Sequence, residues 1–173
     1  MRLFDLHCDT LTECYDKGEN LLENHRHVDL ARGGKLEAWA QLFAVWMPDS
    51  LRGEAAFDRC CAVLDFAREQ AGRYPGRLGI VEDAAGLRDT LDSGRCAGIL
   101  TVEGASALAG DLRHLEDLAA RGVKLITITW NGSNELGHGC LSGCPDGLTP
   151  FGKRAVRRME ELSILPDVSH LNE

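Results

Sequence analysis

The sequence predicts an α/β protein built on a parallel β-sheet. Apolar runs of strand length alternate with helical patterns, which is typical of βαβ units. These runs occupy residues 3–8, 38–47, 78–81, 96–102, 123–129 and 164–168. Residues 97–102 and 123–129 are mostly apolar or β-branched, as expected for strands covered on both faces. Polar, ligand-type side chains follow several runs, at the edge where parallel sheets place their sites.

Helical periodicity separates the strand candidates. In two segments apolar residues recur three or four positions apart, so each segment presents one apolar stripe to a sheet. The stripes are Phe57, Cys61, Leu64, Ala67 and Ala71 in the first segment, and Leu112, Leu115, Leu118 and Ala119 in the second. A further helix is expected to begin at Thr149 and Pro150, since threonine caps helices and proline suits the first helical position. Its predicted stripe is Phe151, Val156, Met159 and Leu162.

One residue opposes the assignment of the last strand. Pro166 lies inside the run 164–168, and proline cannot donate a hydrogen bond to a sheet. If the run forms a strand, Pro166 is therefore expected to sit at its first residues.

Composition bounds the function. The chain has 173 residues, of which 44% are hydrophobic and 27% charged, with a formal net charge of -8. These values fit a globular protein, and we treat residues 1–173 as one domain. A nucleic-acid binder needs clustered Lys and Arg, so the acidic balance argues against one. No apolar run approaches the roughly 20 residues that span a bilayer, and we expect no membrane partner and a cytoplasmic location.

Seven cysteines at irregular spacing fit reduced thiols better than a disulfide framework. Cys140 and Cys144 lack a second cysteine pair, so they are interpreted as loop residues rather than metal ligands. The chain contains no Gly-x-Ser-x-Gly elbow, no P-loop and no Gly-x-Gly-x-x-Gly after a strand. Serine hydrolases, nucleotide hydrolases and Rossmann dehydrogenases are therefore disfavoured.

Candidate metal ligands collect at the ends of three strand candidates. His7 and Asp9 are two positions apart and are expected to project to the same side of the first strand. Glu103 ends the run 96–102, and His170 follows the run 164–168. Nitrogen and oxygen ligands without thiolate suit catalytic zinc, and a shared carboxylate suits a pair of metals about 4 Å apart. Glu103 is the natural bridge, although a polar strand cap or a buried ion pair would explain any one of these residues alone.

The other histidines are weaker candidates. His25 and His27 follow no apolar strand, so a solvated loop is expected there. His114 lies between charged neighbours on a predicted helix and is expected to face water. His138 belongs to a Gly-rich loop at residues 137–143, where an exposed side chain is expected.

Taken together, several stretches resemble the membrane (renal) dipeptidase family of zinc metallopeptidases. They are FDLHCDT at residues 4–10, TVEG at 101–104, LITIT at 125–129, GLTPFG at 147–152 and DVSH at 167–170. The resemblance implies a (β/α)8 barrel of the metal-dependent hydrolase kind. It also implies that His7, Asp9 and Glu103 hold one zinc ion, and that Glu103 and His170 share in holding a second.

The resemblance is broken at one substrate position. Where several family members carry a substrate-binding His after the Thr-x-Thr strand, this chain has Trp130 followed by Asn131. Trp130 is expected either to line the substrate pocket, with Asn131 beside it, or to pack at the barrel rim. Substrate preference is therefore expected to differ from that of family members with the histidine.

The activity implied is zinc-dependent hydrolysis of dipeptides by a hydroxide held between the two metals, with Asp9 and Glu103 as catalytic residues. A (β/α)8 barrel typically needs about 250 residues, so this chain is expected to supply about the first five strands. By the resemblance, later strands contribute a further His, a substrate-binding Arg and a proton-handling Asp. Catalysis is therefore expected of a longer form rather than of these 173 residues alone.

Two alternatives remain open. Trp130 favours a hydrolase of another amide or a lactone on the same metal centre. A truncated, non-catalytic half-barrel is the other alternative. The resemblance also suggests a homodimer.

Overall fold

The computed structural model describes all residues from Met1 to Glu173. Six strands form one sheet in the order β1-β2-β4-β5-β6, with β3 paired to β4. The strands are β1 Arg2–Cys8, β2 Ala38–Trp46, β3 Leu78–Ile80, β4 Cys96–Glu103, β5 Val123–Thr127 and β6 Leu165–Asp167. The pairs β1 with β2, β3 with β4, and β5 with β6 are parallel. The expected α/β architecture and the six strand candidates are confirmed, so the chain contains six strands rather than about five.

Six α-helices connect the strands. They are α1 Thr10–Lys17, α2 Leu30–Gly33, α3 Glu54–Arg73, α4 Ala84–Asp92, α5 Arg113–Ala120 and α6 Pro150–Glu161. A 3₁₀ turn, Ala105–Leu108, follows β4. No helix combines the length and the apolar character that a membrane crossing requires.

The chain divides into two compact units. The first comprises residues 1–45 and 63–101, and the second comprises residues 46–62 and 102–173. In the first unit, Ala40, Val81 and Ala97 form a buried cluster. Leu87, Leu91 and Ile99 pack against that cluster. Helix α4 begins where the Asp83 side chain accepts a hydrogen bond from the Gly86 amide, at 2.8 Å.

In the second unit, α6 begins as the sequence predicts. The Thr149 hydroxyl accepts a hydrogen bond from the Gly152 amide at 2.9 Å, and Pro150 is the first helical residue. The buried residues of α6 are Gly152, Ala155 and Met159, so the small residues Gly152 and Ala155 occupy the face assigned to larger side chains. Residue Pro166 lies within β6 and pairs with Ile126. It is tolerated there because β6 is the last strand in the sheet order.

One expectation about the second unit is wrong. The imidazole of His114 is buried rather than exposed, and it stacks on Phe57 with ring centroids 3.7 Å apart and planes at 9°. Its Nδ1 lies 2.9 Å from the carbonyl oxygen of Leu108. The expectation rested on the charged residues beside His114 in the sequence. It fails because Phe57, on α3, covers the face of α5 that carries His114.

Candidate metal centre

The first pair of candidate ligands lies where β1 passes into α1. Nε2 of His7 is 3.3 Å from Oδ1 of Asp9. Asp9 is the residue before α1 and has helical backbone angles rather than extended ones, and the register of β1 shifts between Asp5 and Cys8. The two side chains therefore meet through a strand irregularity and a helix start, not through simple strand alternation.

The thiol between these two residues has a different character. Cys8 is buried, and burial raises the pKa of its thiol to about 12. A thiol with that pKa stays protonated at neutral pH when no metal ion is bound. His7 and Asp9 offer an imidazole and a carboxylate as candidate ligands here.

The second pair lies at the ends of β4 and β6. Nε2 of His170 is 3.3 Å from Oε1 of Glu103. Glu103 is only 7% exposed, whereas the His170 side chain is 35% exposed. A buried carboxylate without a compensating positive charge is costly, so an imidazolium or a metal cation beside Glu103 would stabilise it.

His170 is held in an uncommon backbone conformation. Its φ of 66° lies in the left-handed region, which residues other than glycine adopt at a cost. The turn before it is fixed by Asp167, whose Oδ1 accepts hydrogen bonds from the Ser169 amide at 3.2 Å and hydroxyl at 2.9 Å. The carbonyl of His170 accepts a hydrogen bond from the Cys140 amide at 2.7 Å. The surrounding structure thus imposes the conformation that directs the ring at Glu103.

The ring orientation of His170 indicates which nitrogen can bind a metal. Its Nδ1 lies 3.2 Å from Oδ1 of Asn131. An imidazole that donates from Nδ1 to this amide oxygen would present the Nε2 lone pair. A cation beside both Nε2 and the buried Glu103 carboxylate would then be stabilised. This arrangement fits a metal ion, and histidine ligands commonly donate their other ring N–H to an oxygen in this way.

His7 and Asp9 belong to the first compact unit and Glu103 to the second, and each offers a ligand atom of the kind that can hold a metal ion. Asn131, which the sequence analysis places beside Trp130 at the substrate pocket, contacts the candidate ligand His170 through Oδ1. Trp130 is half-buried, and its ring meets Trp46 edge to face at 5.1 Å between centroids and 82° between planes. The sequence analysis did not identify Trp46 as a neighbour of Trp130. Its position at the end of β2 was the available signal.

The remaining histidines and the two loop cysteines differ in their exposure. His25 and His27 are exposed in a loop, as expected. His138 is half-buried, with Nδ1 at 2.8 Å from the Ser133 hydroxyl. The exposed Cys140 and the half-buried Cys144 are free thiols.

Residues 1–173 match the model of the membrane dipeptidase family, peptidase family M19. The chain belongs to this family. A curated relative, Dipeptidase 3 of Mus musculus, is 26% identical over 161 residues, covering 89% of this chain and 31% of the mouse protein.

Two solved structures are similar to the whole length of this chain. The crystal structure of a dipeptidase described as a metallopeptidase of family M19 has a TM-score of 0.88 at 28% identity, over 57% of its own length. A metallopeptidase from Rhodobacter sphaeroides, liganded with a phosphinate mimic of the dipeptide L-Ala-D-Ala, has a TM-score of 0.86 at 26% identity, over 60% of its length. The parallel sheet with its helices therefore corresponds to part of a TIM-type barrel. The chain spans about half the length, or less, of the curated relatives that it matches.

Proposed function

We propose that the protein containing this chain hydrolyses the peptide bond of dipeptides at a centre of two zinc ions. The family match supports a metallopeptidase activity, and the solved relative from Rhodobacter sphaeroides binds a dipeptide mimic. The observation that carries the proposal is the approach of His170 Nε2 to Glu103 Oε1 at 3.3 Å. This contact brings together two groups of the kind that bind metal ions.

In this proposal His7, Asp9 and Glu103 hold one zinc ion, and Glu103 and His170 contribute to the second. Imidazole and carboxylate ligands without thiolate are typical of catalytic zinc. When bound, zinc supplies a Lewis acid that lowers the pKa of water and stabilises negative charge on the scissile carbonyl oxygen. Because Glu103 serves both ions, its loss would affect the whole centre.

The protein's own side chains would perform the remaining work. Asp9 is assigned to accept a hydrogen bond from the attacking water, which orients that water towards the peptide carbonyl. Asn131 holds the His170 ring through Oδ1, which leaves its Nδ2 group to donate to the substrate. Trp130 would exclude water from one side of the substrate, since its ring packs on Trp46.

The decisive experiment substitutes Glu103→Gln in the natively expressed protein, with the exposed Glu69→Gln on α3 as the matched control. We expect the Glu103 variant to lose bound zinc, measured by elemental analysis, and to lose dipeptide hydrolysis. The Glu69 variant should keep both. Zinc content and turnover equal to wild type in the Glu103 variant would overturn the proposal.

A second activity is favoured by Trp130, because an indole cannot replace every function of the histidine that several family members carry there. Hydrolysis of N-acyl amino acids, other amides or lactones would use the same zinc centre. A substrate panel on the natively expressed protein separates the two activities. A non-catalytic half-barrel would instead show an intact mass of 18.9 kDa, about one zinc ion and no hydrolysis of any compound in the panel.

The homodimer and the cytoplasmic location stay proposals of the same kind. Size-exclusion chromatography with light scattering tests the first, and cell fractionation tests the second.

A further inference from the structure

The loop after β2 (residues 47–53, the β2 loop) is fastened to the loop after β5 (residues 128–149, the β5 loop). Oδ2 of Asp49 accepts a hydrogen bond from the Gly132 amide at 2.8 Å. Nη2 of Arg52 donates to the carbonyl oxygen of Ser133 at 2.6 Å. Two charged side chains thus bind successive residues of the β5 loop through its backbone, in bonds of the stronger, charge-assisted kind.

The close approach at Gly132 indicates that this fastening depends on the residue type. A Cβ atom at Gly132 would lie 2.9 Å from Cγ of Asp49, closer than carbon atoms pack without displacement. A residue with a Cβ atom at this position would therefore displace the carboxylate that accepts from the amide. The contact joins residues 83 positions apart in the sequence.

From Gly132 a continuous series of hydrogen bonds leads to the candidate ligands. The Gly132 carbonyl accepts from the Gly139 amide at 2.9 Å, and the neighbouring Cys140 amide donates to the His170 carbonyl at 2.7 Å. On the other side of Gly132, Asn131 Oδ1 lies 3.2 Å from His170 Nδ1. Both the backbone and the ring of His170 are thus connected to the segment that Asp49 holds.

The β2 loop is itself anchored beside Glu103. The Met47 amide donates to the Glu103 carbonyl at 2.9 Å, and Trp46 packs on Trp130. The β2 loop therefore has one end fixed at one candidate ligand and holds the loop that orients another. Such a loop can set the separation of the two groups without touching a metal.

We propose that Asp49 is a positioning residue, which sets the orientation of the His170 ring through the Gly132 amide and thereby the zinc affinity of the Glu103–His170 site. This inference rests on the proposed zinc centre, but its structural part is independent of it. Arg52 supports the same loop from the next residue. Outer-shell groups that orient ligands typically change metal affinity by about 10–100-fold when removed.

The test compares Asp49→Ala, Asp49→Asn and Gly132→Ala in the natively expressed protein, with the exposed Asp92→Ala on α4 as control. Hydrogen exchange of the metal-free protein reports the loop directly. We expect amides in residues 131–140 to exchange about tenfold faster in Asp49→Ala and Gly132→Ala. Asp49→Asn keeps an acceptor oxygen and should stay within about threefold of wild type. The control should match wild type.

Zinc affinity, measured by competition with a chromophoric chelator, is the second readout. We expect the affinity of the weaker site to fall about tenfold or more in Asp49→Ala, with substantial rescue in Asp49→Asn. Unchanged exchange of residues 131–140 in Asp49→Ala and Gly132→Ala would show that Asp49 does not hold the β5 loop. Faster exchange with unchanged zinc affinity would overturn the positioning role. If Asp49→Ala does not fold, the Asn and Gly132 variants decide by the same criteria. Failure of the proposed dipeptidase activity is distinguishable, because it would leave the exchange and zinc results intact while no peptide is cleaved.

Discussion

The Nε2 atom of His170 faces the Oε1 atom of Glu103 across 3.3 Å, although the two residues follow different strands. Glu103 is fixed because it ends the buried strand β4. His170 is fixed by a left-handed backbone and by Asn131 at its other ring nitrogen. The two groups are thus preorganised, and preorganised ligands lose little conformational entropy on binding a metal.

Removing the partner of the His170 ring should weaken this preorganisation. We expect Asn131→Ala to lower metal affinity at the Glu103–His170 site by about 10–100-fold, because the ring is then free to rotate and to exchange its tautomer. Competition with a chelator of known affinity measures the effect.

Asn24→Ala is the matched control for this variant. Asn24 also uses its side-chain amide, donating to the Asn20 carbonyl at 3.1 Å, but it belongs to the loop before α2. The Asn24→Ala variant should bind zinc with the affinity of the wild type. A wild-type zinc affinity in Asn131→Ala would contradict the orienting role of Asn131.

The strands could be predicted from sequence because their signal is local. Runs of apolar and β-branched residues fall within two residues of each observed strand, even at Val123–Thr127, where the predicted run extended to residue 129. Helices α1, α2 and α4 were not assigned. Of these, α4 had an available signal in its capping residue Asp83, whereas α2 is only four residues long.

Candidate ligands could be proposed from the sequence, but the contacts that hold them in place could not. His7, Asp9, Glu103 and His170 stand at strand ends, which is a local pattern combined with a family resemblance. The Asp49 contact with Gly132 and the burial of His114 under Phe57 arise between distant parts of the chain. No periodicity or spacing encodes such contacts, because they depend on how the loops and helices pack.

The cysteines should differ sharply in reactivity. Burial raises the pKa of Cys8 and Cys14 to about 12 and also raises the pKa of Cys60 and Cys96. Since the thiolate is the nucleophile, iodoacetamide at neutral pH should modify the exposed Cys140 first. Peptide mapping by mass spectrometry before and after unfolding measures the order. Native labelling of Cys60 at the rate of Cys140 would contradict this prediction.

The carboxyl group of Asp111 should titrate at unusually low pH. Hydrogen bonds from Arg113 lower the pKa of Asp111 from 3.8 to about 2. A folded-state pKa below the unfolded one stabilises the fold above about pH 4, and this contribution disappears as the pH falls towards 2. NMR-monitored titration should show Arg113→Ala raising the Asp111 pKa towards its ordinary value, with Arg113→Lys intermediate. An unchanged pKa in Arg113→Ala would refute the assignment.

Two glycine substitutions in helices should have opposite effects on stability. A Cβ atom at Gly152, in the first turn of α6, would collide with the backbone of Leu136, whereas one at Gly72, near the end of α3, would meet nothing within 4 Å. We expect Gly152→Ala to lower the free energy of unfolding by about 1–3 kcal/mol, as overpacking does. Gly72→Ala should raise it by about 0.4–1 kcal/mol, because alanine loses less backbone entropy on folding. Urea denaturation measures both, and a Gly152→Ala protein as stable as Gly72→Ala would show that α6 can move away from Leu136 at little cost.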